Sequence, residues 1–245
     1  MLVVAAVCPC PPLLVPQVAA GAAPELDAAR AACVDALGVL AAARPDLLVV
    51  IGPDDTDTDA GTDTRRYAQG APGTFRGFGV DVDVRLGRPA AEPGAQPSPA
   101  LPTSLAVGAW LLEHTGWSDA PIEGLAVREP IEVDRCITVG REVAARAARV
   151  ALLVMADASA CRTLKAPGYL DQRAEPFDTA VAHALATADT TALTTLDPAL
   201  AHTLKAAGRP AWQVLAGAGE TADLAGALLY EAAPYGVGYL VVTWS

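Results

Sequence analysis

A chain of 245 residues in which 52% are hydrophobic is long enough to bury a sizeable core. Its 28 acidic residues outnumber 17 basic ones, and a formal charge of −11 argues against binding a phosphate backbone, which requires clustered Lys and Arg, so nucleic acid is not an expected partner. The start MLVVAAVCPCPP lacks a basic n-region, and its apolar run is far short of the roughly 20 residues that span a bilayer, so no membrane partner and a cytoplasmic location are expected. Five cysteines without framework spacing fit reduced thiols better than disulfides.

Leu2–Val7 is a continuous apolar run, the pattern of a strand covered on both faces. Pro24, Glu25 and Asp27 open a helical stretch that reaches about Ala43, because proline and acids both suit a first turn. Asp46–Gly52 is a second strand, and the strand–helix–strand order favours a parallel sheet. Residues 53–76 carry Asp, Thr and Gly with little apolar material and read as an irregular loop. Val80–Leu86 alternates strictly, as an edge strand with one wet face does. Residues 88–102 hold prolines at 89, 93, 97, 99 and 102 and read as a second irregular loop, since each proline removes a backbone donor.

Thr103 and Ser104 can cap a helix over Leu105–Glu113, and Pro121–Val127 is a weaker strand pattern. Glu132–Ala148 is helical in pattern and leads to the strand Val150–Ala156. Helical patterns follow over Pro176–Ala186, Thr191–Ala206, Trp212–Ala218 and Ala222–Ala232, before a final strand at Gly238–Trp244. No Ser/Gly-rich linker divides the chain, so residues 1–245 are expected to form a single α/β domain with a mainly parallel or mixed central sheet flanked by helices. In open α/β sheets ligands bind beyond the carboxyl ends of the strands, which singles out residues 8–12, 52–67 and 157–169.

Those three segments resemble, in order, the active-site loops of the LigB-type class III extradiol dioxygenase catalytic-subunit family, whose relatives include the Memo proteins. The most specific match is DASACRTLKAPGYLDQRAEPFDTAVAHAL, residues 157–185, which is similar to the family's Gly-Asp-x-Ser-His-Arg-Leu stretch, then Gly-Tyr, then Ala-Glu-x-Phe-Asp at the head of a helix. PCPP at 9–12 resembles a Pro-His-Pro-Pro loop, and GRPAWQVLAGA at 208–218 with a Gly-Tyr strand near the C-terminus completes the likeness. The resemblance implies the LigB-type extradiol dioxygenase fold and one non-haem Fe(II) held by two His and one Glu, with open positions for a catechol and O2. It also implies a further His as acid and base.

Carried over residue by residue, the first His ligand falls at Cys10 and the second within Gly52-Pro53-Asp54-Asp55. The Glu ligand falls at Gly208 or Arg209, and the acid-base His at Ala160 or Cys161. The chain's three histidines, His114, His183 and His202, lie on expected helices or at their ends. The resulting expectation is a family member that has lost its iron ligands, with no cofactor, and that is non-catalytic or repurposed for small-molecule binding or as a scaffold. The alternative keeps Fe(II) or another divalent metal on Cys10, Asp54 and Asp55, with Asp157 within the altered ligand set, as a ring-opening dioxygenase or oxidoreductase; thiolate ligation favours zinc.

Candidate cleft residues are Cys10, Asp157, Ser159 and Cys161, and candidate ligand-binding residues are Arg162, Lys165 and Tyr169. Arg162 and Lys165 would place positive charge near the cleft of an acidic protein, where a small aromatic or anionic ligand is the expected partner. A second copy or a second subunit is a further expected partner, because enzymes of the resembled family assemble with one. Purely structural roles compete with each assignment: a buried hydrophobic thiol for Cys10, strand-stopping for Asp157 and Ser159, and snorkelling for Arg162 and Lys165. The run Asp54, Asp55, Asp57, Asp59 and Asp63 is not an EF-hand, whose sixth Gly and twelfth Glu are here Asp59 and Arg65. No Gly-rich phosphate loop and no Gly-x-Ser-x-Gly elbow occurs.

Overall fold

A computed structural model describes residues 1–56, 62–88 and 99–245. β1 (Leu2–Cys8) leads through the single turn α1 (Pro16–Ala19) into α2 (Asp27–Ala42) and β2 (Leu47–Pro53). β3 (Thr64–Tyr67), β4 (Pro72–Thr74) and β5 (Asp83–Arg85) precede α3 (Thr103–His114), β6 (Ile122–Val127), α4 (Val133–Ala144) and β7 (Val150–Met155). The remainder holds α5 (Ala174–Ala186), α6 (Thr190–Thr194), α7 (Pro198–Thr203), α8 (Arg209–Gly219), β8 (Gly226–Ala232) and β9 (Tyr239–Trp244).

Seven strands form one mixed sheet in the order β3-β6-β2-β7-β1-β9-β8. β6, β2, β7 and β1 run parallel, and antiparallel pairs close both sides, β3 on β6 and β9 on β1 followed by β8. The result is a single α/β domain with helices on both faces. Period-two alternation sorts the strand side chains: Val7, Val49 and Val154 face α4, α5 and α8, while Val4, Val50 and Leu153 face α2 and α3. Because both faces are covered, β1, β2 and β7 are apolar at nearly every position.

Several boundaries differ from the sequence reading. Residues 53–76 are not irregular throughout, because Thr64–Tyr67 adds to the sheet edge and Pro72–Thr74 pairs with β5 in a separate two-stranded sheet. Its polar TRRY composition hid β3, in which only Tyr67 is buried. Of the alternating run 80–86 only Asp83–Arg85 is strand. In the loop 88–102, residues 89–98 with Pro89, Pro93 and Pro97 lie outside the described residues, as do Asp57 and Asp59, while 99–102 is neither helix nor strand.

The weak pattern at Pro121–Val127 is an interior strand, β6. Thr191–Ala206 is two short helices rather than one, since Pro198 cannot continue a helix and Asp197 caps the second by accepting from the Ala199 and Leu200 amides. Ser104 does not cap α3; its hydroxyl donates to the Pro53 carbonyl at 2.7 Å. The helix expected over Ala222–Ala232 is instead the strand β8, because pairing with β9 outweighs the helix propensity of Ala and Leu there. No helix among the described residues is long and apolar enough to cross a membrane.

The packing of α4 on α8 fixes how α8 approaches the sheet edge. A Cβ on Gly140 would fall 2.1 Å from the Val214 carbonyl oxygen, and one on Gly217 would fall 2.3 Å from that of Ile137, so the two helix backbones touch through paired glycines. Gly140→Ala is expected to destabilise the fold by about 2–3 kcal/mol, a fall in Tm of roughly 4–12 °C. Gly38→Ala, at an exposed position within α2 where a Cβ meets nothing within 4 Å, is expected to stabilise by roughly 0.5–1 kcal/mol. Thermal unfolding of the two variants checks both signs.

Candidate functional site

The parallel strands β1, β2, β6 and β7 deliver their following residues to one edge of the sheet, and β9 enters at the same edge. The β1–β7 ladder pairs Cys8 with Met155, and the Ala156 amide continues it by donating to the Cys8 carbonyl at 2.8 Å. Cys10 and Asp157 are thereby brought together, and the Cys10 amide donates to Asp157 Oδ1 at 2.8 Å. Cys10 is 7% exposed. Burial, then the neighbouring carboxylates Asp157 and Asp55, push its thiol well above the usual range. A thiol held protonated is a poor nucleophile and a poor metal ligand.

Burial also raises Asp157 to about 6, against the opposing hydrogen bond from the Cys10 amide. Tyr239, at the start of β9, is raised for the same reason, with Asp157 and Cys10 adding to the effect. Three weak acids therefore gather at this edge, each raised first by burial, and the Asp157 charge disfavours ionisation of both Cys10 and Tyr239.

At the end of β2 the carboxylates are committed to the protein itself. Burial opposes ionisation of Asp54, yet the Thr56 amide and hydroxyl, at 3.0 and 2.6 Å, and Arg128 at 3.1 Å hold its carboxyl below the usual range. Asp55 Oδ1 accepts from the Thr103 amide at 3.1 Å, tying the loop to the start of α3. Among the described residues no group of three or more His, Cys, Asp or Glu side chains is placed to hold a metal ion, so Cys10, Asp54 and Asp55 do not assemble as a ligand set. His114 stacks on Trp110 at 3.9 Å within α3, and His183 and His202 lie on α5 and α7.

Beyond β7, Ser159 donates through its amide and its hydroxyl to the two oxygens of Asp178, both at 2.8 Å. Arg162 adds bonds to Asp178 at 3.1 Å and to Glu175 at 3.2 Å. Ser159 and Arg162 thus anchor the loop to α5, and Arg162 is not a free cation for a ligand. Cys161 is buried, and its thiol donates to the Leu204 carbonyl at 3.4 Å. Lys165 is exposed, and Tyr169 is exposed with a left-handed φ of 62°.

Residues 208 and 209 complete the edge. The Gly208 amide donates to the Asp157 carbonyl at 3.0 Å, and a Cβ there would stand 2.7 Å from that oxygen, so position 208 has no room for a side chain. Arg209 is fully buried at the start of α8. Its Nε and Nη2 donate to both oxygens of Glu129, Nη2 also to the Ile131 carbonyl at 3.1 Å, and Nη1 to Gln213 Oε1 at 2.8 Å. Gln213 in turn donates to the Leu193 and Leu196 carbonyls, each at 3.3 Å.

Sequence reasoning missed Glu129 and Gln213 as parts of this edge, and Asp178 and Tyr239 entered it only through the family resemblance, in the Ala-Glu-x-Phe-Asp stretch and the Gly-Tyr strand. The one signal available was the i, i+4 spacing of Arg209 and Gln213 on an otherwise apolar helix face. No protein-family model matches the chain, and no curated protein matches it. Among solved structures the chain is similar to the uncharacterized protein JW3007 from Escherichia coli K12, with a TM-score of 0.57 and 13% identity over 99% of each chain. A likeness at that identity shows the shared fold.

A carboxyl group raised in the folded state contributes stability that is present in full below its unfolded value near 4 and is lost as pH rises through about 6. Ionised Asp157 is therefore a cost at pH 8, and Asp157→Asn keeps an oxygen for the Cys10 amide without the charge. The substitution is expected to raise Tm by roughly 2–5 °C at pH 8, with the gain shrinking toward zero at pH 4. A lower Tm at pH 8 would contradict this assignment.

Proposed function

We propose that this chain is a LigB-type extradiol dioxygenase-like protein in which a closed set of internal bonds has replaced the iron site, and that it works without catalysis, as a small-molecule binding protein or scaffold. The observation that carries this reading is Arg209. The position that matches the Glu ligand is either Gly208, which excludes any side chain, or Arg209, a buried guanidinium that offers only N–H donors and no lone pair to a metal. A fixed cation beside a metal site repels the ion that an anionic ligand would hold. The residues present do not fit an Fe(II) centre, and no step through one is derived.

The sequence match over residues 157–185 supports the family reading, and its retained residues Ser159, Arg162 and Asp178 bond to one another and hold the loop in place. The motif positions tied to iron chemistry are those at which this chain differs. After anaerobic loading with Fe(II) and return to air, catechol and protocatechuate are expected to give neither oxygen uptake nor a yellow ring-fission product. Turnover with either substrate would refute the proposal.

A second reading, a metal-dependent ring-opening dioxygenase or other oxidoreductase with altered ligands, draws on one observation: Cys10, Asp157 and Asp55 are close enough for their charges to interact at the sheet edge. Under that reading the same assay shows turnover in the parent chain and none in Cys10→Ala.

A further inference from the structure

Beyond the end of β6, between Glu129 and the turn that joins α7 to α8, lies a cavity of about 270 Å³ lined by Glu129, Ala201, His202, Lys205, Ala206 and Ala207. The volume sits at the small end of the ~300–1,000 Å³ typical of small-molecule sites. Three alanines give it apolar walls. Its charges are unequal: the Glu129 carboxylate is matched by the two-pronged bond from Arg209, whereas Lys205 has no carboxylate partner among the described residues. The Lys205 ammonium donates to the Pro167 carbonyl at 3.3 Å, which leaves two of its three donors for other acceptors.

The backbone at the mouth is held in an unusual conformation. Lys205 has a φ of 54°, in the left-handed region that non-glycine residues seldom adopt, and the turn is fastened by the Ala206 amide donating to the Ala201 carbonyl at 2.9 Å. An exposed lysine could reach solvent from an ordinary turn. Here the left-handed turn sets Lys205 and His202 among the residues that line the cavity.

We propose that this cavity binds a small organic monoanion, a carboxylate carrying one aromatic ring or a short hydrocarbon tail. The tail lies among Ala201, Ala206 and Ala207, and the carboxylate meets Lys205. The proposal rests on the reading of the chain as a binding protein and adds the place and chemical class of the ligand. A dianion or a neutral molecule of the same size fits less well, because one unmatched ammonium balances one negative charge.

The test is a titration of the metal-free full chain with benzoate and hexanoate, followed by backbone amide NMR, with benzyl alcohol as the uncharged control. Benzoate or hexanoate is expected to shift the amides of Ala201, His202, Ala206 and Ala207 with a Kd of about a millimolar or tighter. Lys205→Gln is expected to weaken binding roughly fivefold, and Ala207→Leu, which fills the mouth from an exposed position, to abolish it. Absence of shifts at those four amides, or equal binding of benzyl alcohol, would overturn the proposal. Since no metal and no turnover enter this titration, its failure is distinguishable from turnover in the ring-cleavage assay.

Discussion

The buried guanidinium of Arg209 is the constraint on which the sheet edge depends. Taking a charge out of water costs several kcal/mol, and the cost is offset only when partners surround it. Glu129, Ile131 and Gln213 supply them, and Gln213 passes the connection on to one carbonyl in the last turn of α6 and one just after it. Removing one partner from such a group typically costs about 3–5 kcal/mol, so the positions of β6, α8 and the α6–α7 connection are not independent. Once Arg209 is seated, Gly208 is pressed against the Asp157 carbonyl, and Asp157 receives the Cys10 amide. One chain of contacts, Glu129 to Arg209 to Gly208 to Asp157 to Cys10, crosses the ends of three parallel strands.

That arrangement decides the chemistry open to the edge. A nucleophile or a general base near neutrality needs a group that ionises readily and can reach a substrate. Cys10 and Tyr239 are driven the other way by burial and by their neighbours. Asp157, raised to about 6, is poised near neutrality, but its Oδ1 already accepts the Cys10 amide. Asp54, Asp55 and Asp178 likewise serve Arg128, Thr103 and Ser159. Under the proposed function the carboxyl end of the sheet serves as a structural surface, and the proposed ligand lies to one side, at Glu129 and Lys205.

How much of this was legible in the sequence depends on the range of the interactions. β1, β2 and β7 could be read because burial on both faces writes a continuous apolar run into each strand. The strand-end rule singled out the loops after β1, β2 and β7, whose places follow from the same apolar runs. β8 could not be read, because GALLYEA carries helix formers and becomes a strand only through β9. The pairings that close the site were equally hidden: Cys10 and Asp157 are 147 residues apart, and Arg209 and Glu129 are 80 apart. Arg162, legible as a charge near the cleft, could not be seen to belong to Asp178 until α5 was placed beside the loop.

The central claim is that the edge of the sheet carries a bonded network where a metal would need open anionic ligands. Metal analysis of the purified chain, as isolated and after loading with Fe(II), Zn(II) and Mn(II), tests it most directly when repeated with Cys10→Ala. The account predicts metal well below one equivalent per chain and no change on substitution. About one equivalent that is retained by the parent chain and lost with Cys10 would contradict it.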